Sequence, residues 1–206
     1  MMNQLIKQDQ NLWVQSASNW LERKIIQYNS ESVYIPAGET PKILYKYWTE
    51  TNPFFLKKIK LVQIDEVSTG YKKKLFEKFF KNHLPLHHSQ IEFISSGGTQ
   101  ADLAILGLGT NGHVAFHEPG LSQNFYSGCV KLSSETIHNL QLEEKTWGTT
   151  YGLGAFNACK AILMMVNGEK KMKIVIDLIN RNDPNKLPAS GLKTHQDFTL
   201  LTDFEY

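Results

Sequence analysis

Short apolar runs that end in a glycine turn and give way to helical periodicity recur along this chain, and this recurrence limits the fold more than any other feature. Ser32 to Ile35 leads through Pro36-Ala37-Gly38-Glu39-Thr40-Pro41 into the helical pattern KILYKYW. Leu103 to Leu108 leads into Gly107, Gly109 and Gly112, and Ile162 to Val166 leads through Asn167-Gly168 into GEKKMKIVIDLIN. Runs this short and this continuously apolar suit strands buried on both faces, as in parallel sheets. Further strands are expected at Ile59 to Ile64, Ile91 to Ile94, Cys129 to Leu132 and Phe198 to Leu201. Helices are expected at Asn11 to Tyr28, Tyr71 to Asn82, weakly over Ser133 to Lys145, and in a short piece at AFNACKA. The alternation predicts an α/β fold, a mainly parallel sheet with helices on both faces in a Rossmann-like three-layer sandwich. The 206 residues carry no internal repeat, low-complexity tract or long linker, SSGGTQ before Ala101 being short, so one domain over 1–206 is expected. A domain of that size buries roughly 70% of the surface its unfolded chain exposes.

Composition excludes several classes of function. A net charge of +2, with basic residues scattered, offers no electrostatic footprint for nucleic acid. The one basic run, Lys72-Lys73-Lys74, is expected to be a solvated helix face. Two cysteines, Cys129 and Cys159, make neither a disulfide framework nor a zinc motif and point to a reducing compartment. His83, His87 and His88 have no acidic partner at ligand spacing, so a surface loop is expected there and no metal. No apolar run reaches about 18 residues and the first ten residues lack a basic region before an apolar core, so a cytoplasmic protein with no membrane partner is expected.

The chemistry gathers at Asp102 to Gly120, DLAILGLGTNGHVAFHEPG. Asn111, His113, His117 and Glu118 follow directly on the carboxyl end of a buried strand, where open α/β sheets place their ligands. Gly107, Gly109 and Gly112 match the spacing G-x-G-x-x-G, but Pro119-Gly120 interrupts after seven residues, leaving no long helix to face a pyrophosphate; a ribose-binding role for Glu135 falls with that reading. Asp65 and Glu66 stand at the end of another strand. Backbone N–H groups of Gly38, Glu39 and Thr40 form a potential anion cradle at a helix start; a plain turn capped by Thr40, with Pro41 opening the helix, fits the same residues. Lys170 and Lys171 oppose the macrodipole of the helix they open, so each is either turned to solvent or paired with an anion.

At these residues the sequence resembles the glucosamine-6-phosphate deaminase family, with its galactosamine-6-phosphate isomerase and 6-phosphogluconolactonase relatives. LGLGTNGHVAFHEPG is similar to the pattern G-x-G-x-[DN]-G-H followed by A-F-N-E-P-G, and AGETP, IDEVSTG, YGLG, NGEKK and LPASGLKTH support it in order from Ser32 to Asp203. The resemblance implies ring opening of an aminosugar 6-phosphate, glucosamine or galactosamine, then isomerisation and loss of ammonia with no cofactor. It gives Asp65 the role of enolising base, with Glu66 beside it, and His113 the role of ring-opening acid/base, with Asn111 and Glu118 orienting it. It places the phosphate on Gly38, Glu39, Thr40 and Lys171. The implied partner is a small-molecule sugar phosphate, and the implied assembly a monomer or small homo-oligomer. Glu118, and the absence of an arginine after Asp65-Glu66, favour this chemistry over lactone hydrolysis; a lactonase and a catalytically silent sugar-phosphate sensor are the alternatives. Two departures stand out. Glu39 occupies a position where a small residue is expected, and no arginine lies between Ser133 and Trp147 to serve as second phosphate cation, for which His138 is the substitute.

Overall fold

A computed structural model describes residues 2–94 and 98–206; part of the SSGGTQ linker, residues 95–97, lies outside them. In chain order the elements are β1 (Asn3–Ile6), α1 (Gln10–Tyr28), β2 (Ser32–Ile35), α2 (Glu39–Thr51), β3 (Lys60–Gln63), β4 (Asp65–Val67), α3 (Leu75–His83), β5 (Ile91–Glu92), β6 (Leu103–Gly107), β7 (Ser127–Lys131), α4 (Ser134–Leu140), β8 (Trp147–Tyr151), α5 (Leu153–Asn157), β9 (Ala161–Val166), α6 (Met172–Asn180) and β10 (Phe198–Thr202).

Seven strands form a parallel sheet in the order β1-β10-β9-β6-β2-β3-β5. Side chains alternate across it. In β9, Ala161, Leu163 and Met165 join the core formed with α1, α2 and α3, whereas Ile162, Met164 and Val166 join the opposite core with α5 and α6. Both faces are therefore apolar, which is why these strands read as unbroken hydrophobic runs. The helices obey the complementary period: Trp13, Ala17, Trp20 and Leu21 of α1 and Leu44, Tyr45 and Trp48 of α2 turn one buried stripe to the sheet.

Strand order also determines where a crevice opens. The chain lays down β2, β3 and β5 in one direction, then returns to place β6 on the other side of β2. Ligands in open α/β sheets bind at such a reversal. Here β2 and β6 pair only at Val33 with Leu103 and Tyr34 with Ala104, so their carboxyl ends part from one another.

Four features depart from the sequence expectations. The N-terminal Asn3–Ile6 adds an edge strand beside β10, although its side chains are mostly exposed and give no apolar signal. A second, antiparallel sheet, β4-β8-β7, stands apart from the first; its central strand is Trp147–Tyr151, where no strand is expected from the sequence. Lys72–Lys74 precede α3 instead of forming its solvated face: Lys72 Nζ donates to the Leu140 carbonyl at 2.9 Å, and Lys74, at φ 64°, is the residue from which α3 departs. Finally, His87 is buried, not on a surface loop. It sits in the 3-10 turn Pro85–Gln90 with Nδ1 2.9 Å from Gln90 Oε1.

Among the described residues no helix is long and apolar enough to cross a membrane, and no group of three or more His, Cys, Asp or Glu is placed to hold a metal ion.

Candidate active site

Four neighbouring strands, β9, β6, β2 and β3, end around one cavity of about 370 Å³, and each supplies chemistry to it. After β2 comes Gly38, at φ 123°, a conformation that side chains resist; a Cβ there would point into open space at the cavity wall. Gly38 is the N-cap of α2, so Glu39 is its first helical residue. The N–H groups of Glu39 and Thr40 thus have no partner carbonyl within the helix, and they make the helix start anion-ready. Thr40 does not cap its own helix, nor does Pro41 open it. Thr40 Oγ1 donates to Asn167 Oδ1 at 2.6 Å, tying the cradle to the turn after β9. The Glu39 side chain is 89% exposed, with Oε2 3.6 Å from Lys42 Nζ; it projects into solvent, which removes its conflict with an anion bound by its backbone.

The loop after β6 is built around one imidazole. The His113 ring lies against Gly109, where a Cβ would come within 2.4 Å of ring atoms, and Gly109 N–H donates to the His113 carbonyl at 3.0 Å. Asn111 Nδ2 donates to Glu118 Oε2 at 3.2 Å, which orients the amide and leaves its oxygen toward His113. That oxygen accepts the His113 backbone N–H at 3.0 Å and lies 2.6 Å from Nδ1. Because an amide oxygen only accepts, Nδ1 carries the proton and Nε2 is left with a free lone pair. Burial lowers the His113 pKa, outweighing the opposite pulls of Glu118 and Glu135, and Lys171 adds to the lowering. The imidazole is therefore neutral at pH 7 and fit to accept a proton. His117, which belongs to the same sequence cluster, takes no part: it is fully buried, its Nδ1 accepts the Leu153 N–H at 3.3 Å, and burial lowers its pKa to about 4.

Asp65 stands where the chain leaves the large sheet and enters the small one, opposite Thr150 in β8. It lines the cavity, is buried, and its Oδ1 has no hydrogen-bond partner among the described residues. Burial, reinforced by the Glu66 charge, raises its pKa well above the ordinary carboxylate value. Glu66 faces elsewhere and does not line the cavity. Its carboxylate accepts the N–H groups of Phe76 at 2.9 Å and Glu77 at 2.7 Å, so it closes the start of α3. The period of two in a strand explains the split, since adjacent side chains point to opposite sides. Of the two readings of a cation at a helix start, Lys171 departs from the one that turns it to solvent. Its Nζ turns inward to the cavity and donates to the Leu108 carbonyl at 2.6 Å, and burial lowers its pKa; Lys170 remains in solvent.

Sequence reasoning missed the wall contributed by α4. Thr136, Asn139 and Leu140 share the face that lines the cavity. His138 lies off that face, among Lys131, Ile137 and Lys145 on the outer side, and does not reach the phosphate cradle. The available signal was Ser133, whose side chain accepts the Thr136 N–H at 3.1 Å and thereby starts the helix. Phe76 and Phe116, stacked 5.7 Å apart, add apolar surface.

Residues 71–201, more than half of the chain, match the family described as glucosamine-6-phosphate isomerases/6-phosphogluconolactonase. The chain belongs to this family. Among its relatives, the glucosamine-6-phosphate deaminase of Clostridium acetobutylicum is 29% identical over 186 residues, covering 87% of this chain and 73% of the relative. Solved structures of the family share the fold. A monomeric glucosamine-6-phosphate deaminase superimposes with a TM-score of 0.80 at 22% identity, over 98% of this chain and 97% of that one. The 6-phosphogluconolactonase from Shewanella baltica superimposes with a TM-score of 0.73 at 14% identity, over the same shares of the two chains. The family's two named chemistries thus occupy one backbone, and residues in the cavity have to distinguish them.

Proposed function

We propose that this protein is an aldose-ketose isomerase/deaminase that converts glucosamine 6-phosphate to a ketose 6-phosphate and ammonia. The observation that carries the proposal is the shared cavity of Asp65, a carboxylate with an unpartnered oxygen and a raised pKa, and His113, a neutral imidazole with Nε2 free. The phosphate sits on the N–H groups that open α2 and on Lys171. His113 Nε2 takes the proton of the anomeric hydroxyl and returns it to the ring oxygen, which opens the ring to an aldehyde at C1. Ionised Asp65 then removes the proton from C2 and delivers it to C1, while the C2 amino group gives up one proton and O1 gains one, leaving a C1 hydroxyl and a C2 imine; the elevated pKa makes Asp65 a stronger base toward carbon than an exposed aspartate. The resulting C2 imine adds water and releases ammonia. Deaminase relatives support glucosamine over galactosamine as the substrate.

Lactone hydrolysis needs an activated water but no proton transfer between carbons. The discriminating experiment therefore follows ammonia through glutamate dehydrogenase, with glucosamine 6-phosphate and galactosamine 6-phosphate in parallel, for the wild type and Asp65→Asn. Ammonia from the glucosamine ester, lost in the variant, is the expected result. Ammonia from the galactosamine ester alone would reverse the sugar assignment. Hydrolysis of 6-phosphogluconolactone with no ammonia from either sugar would overturn the proposal in favour of a lactonase, and binding without any turnover would make the protein a sensor.

A further inference from the structure

Glu118 is held from two sides. Its Oε2 accepts from Asn111, the residue that orients His113, and lies 3.7 Å from His113 Nδ1. Its Oε1 accepts from two hydroxyls of the segment that covers the cavity: Ser133 Oγ at 2.8 Å, and Thr136 Oγ1. Thr136 is buried and lines the cavity, and Ser133 is the N-cap of α4. A further bond, from Thr110 Oγ1 to Glu135 Oε1 at 2.6 Å, joins the same two segments. A carboxylate that served only to attract an imidazolium would turn an oxygen directly onto Nδ1. Here the amide oxygen of Asn111 has taken that place, and the two hydroxyls keep Glu118 drawn back.

We propose that Ser133 and Thr136 are positioning residues that fix the orientation of His113, acting through Glu118 and Asn111. With both hydroxyls on Oε1, Oε2 stays on the Asn111 amide, and His113 keeps its proton on Nδ1 with Nε2 toward the cavity. A carboxylate that lost these donors would be free to rotate onto Nδ1 and compete with the Asn111 oxygen, which favours the imidazolium and silences the base. This inference rests on the assignment of His113 as the ring-opening group.

Thr136→Val is the informative variant, because it deletes one donor at constant volume and leaves the Ser133 cap of α4 in place; Thr136→Ser restores the hydroxyl. The charged groups around His113 are Glu118 on its own loop, Glu135 on α4 and Lys171 after β9, with Asp65 lining the same cavity. None of them is altered by either substitution. Nitrogen-15 NMR of the His113 ring is expected to show the Nδ1–H tautomer in the wild type at neutral pH. In Thr136→Val its titration should move upward by about half a pH unit or more, and Thr136→Ser should restore it. A Thr136→Val protein whose His113 titration coincides with that of the wild type, with only a lowered Tm or rate, would overturn the inference. The NMR titration stands whether or not aminosugar phosphates are turned over, so failure of the proposed function and failure of this coupling are read separately.

Discussion

Burial makes Asp65 both a strong base and a destabilising residue. With a raised folded-state pKa, it favours the native state most when neutral, below the ordinary carboxylate range, and that contribution is lost as pH rises through the folded value. Asp65→Asn removes the ionisable group at nearly constant shape. It is expected to lower kcat by about 10²–10⁴-fold. It should also raise Tm at pH 8 by about 2–4 °C for each kcal/mol recovered, with the gap closing toward pH 4. Thermal melts of both proteins across pH test this, and a Tm gap independent of pH would show that the charge is not what destabilises. The same residue shapes the rate profile. Asp65 must be ionised and His113 neutral, so kcat/KM is expected to rise with pH, along an acid limb displaced above that of an ordinary aspartate. An acid limb at about pH 4 would argue that Asp65 is not the base.

At the scale of elements, the loop after β6 is shaped to keep one ring in place. Gly109 has no left-handed φ, so alanine there is acceptable to the backbone and objectionable only to His113. Gly109→Ala is therefore expected to displace the imidazole and lower kcat by about 100-fold while the far-UV circular dichroism stays unchanged. Steady-state kinetics beside a melting curve would separate this from unfolding. How legible each element was in the sequence follows from its surroundings. The central strands, buried on both faces, announced themselves as apolar runs, and the loop from Gly107 to Glu118 carried its chemistry within a dozen residues. β1 did not, since an edge strand with mostly exposed side chains has no hydrophobic pattern to read. The small sheet was hidden for a related reason: Asp65–Val67 is three residues long, and its partner Trp147–Tyr151, with a glycine and two threonines, has no continuous apolar run. Adjacent carboxylates Asp65 and Glu66 looked alike until the pleat sent one to the cavity and the other to a helix start. The contribution of α4 was unreadable because no local pattern links Thr136 to Glu118, eighteen residues away.

Across the whole molecule, the cavity joins the carboxyl ends of four adjacent strands, so a ligand that filled it would touch both halves of the large sheet. Saturation with glucosamine 6-phosphate at about 100 times its Kd is expected to stabilise the fold by about 2.7 kcal/mol, a rise of roughly 5–10 °C in Tm. Hydrogen exchange should slow together at the start of α2 and in the loop after β6; protection confined to one of them would mean that the ligand does not span the crevice. The sheet order has a consequence for the chain as an assembly of segments. Residues 71–201, the part matched to the family, carry His113, Glu118 and Lys171, whereas Gly38 and Asp65 come from the part before them. Yet β2 and β3 stand between β6 and β5, inside the later segment's own sheet. Cut at residue 70, the chain would leave β5 with no neighbour and β6 with one flank bare, so the segment that carries His113 keeps its sheet only together with the segment that carries Asp65.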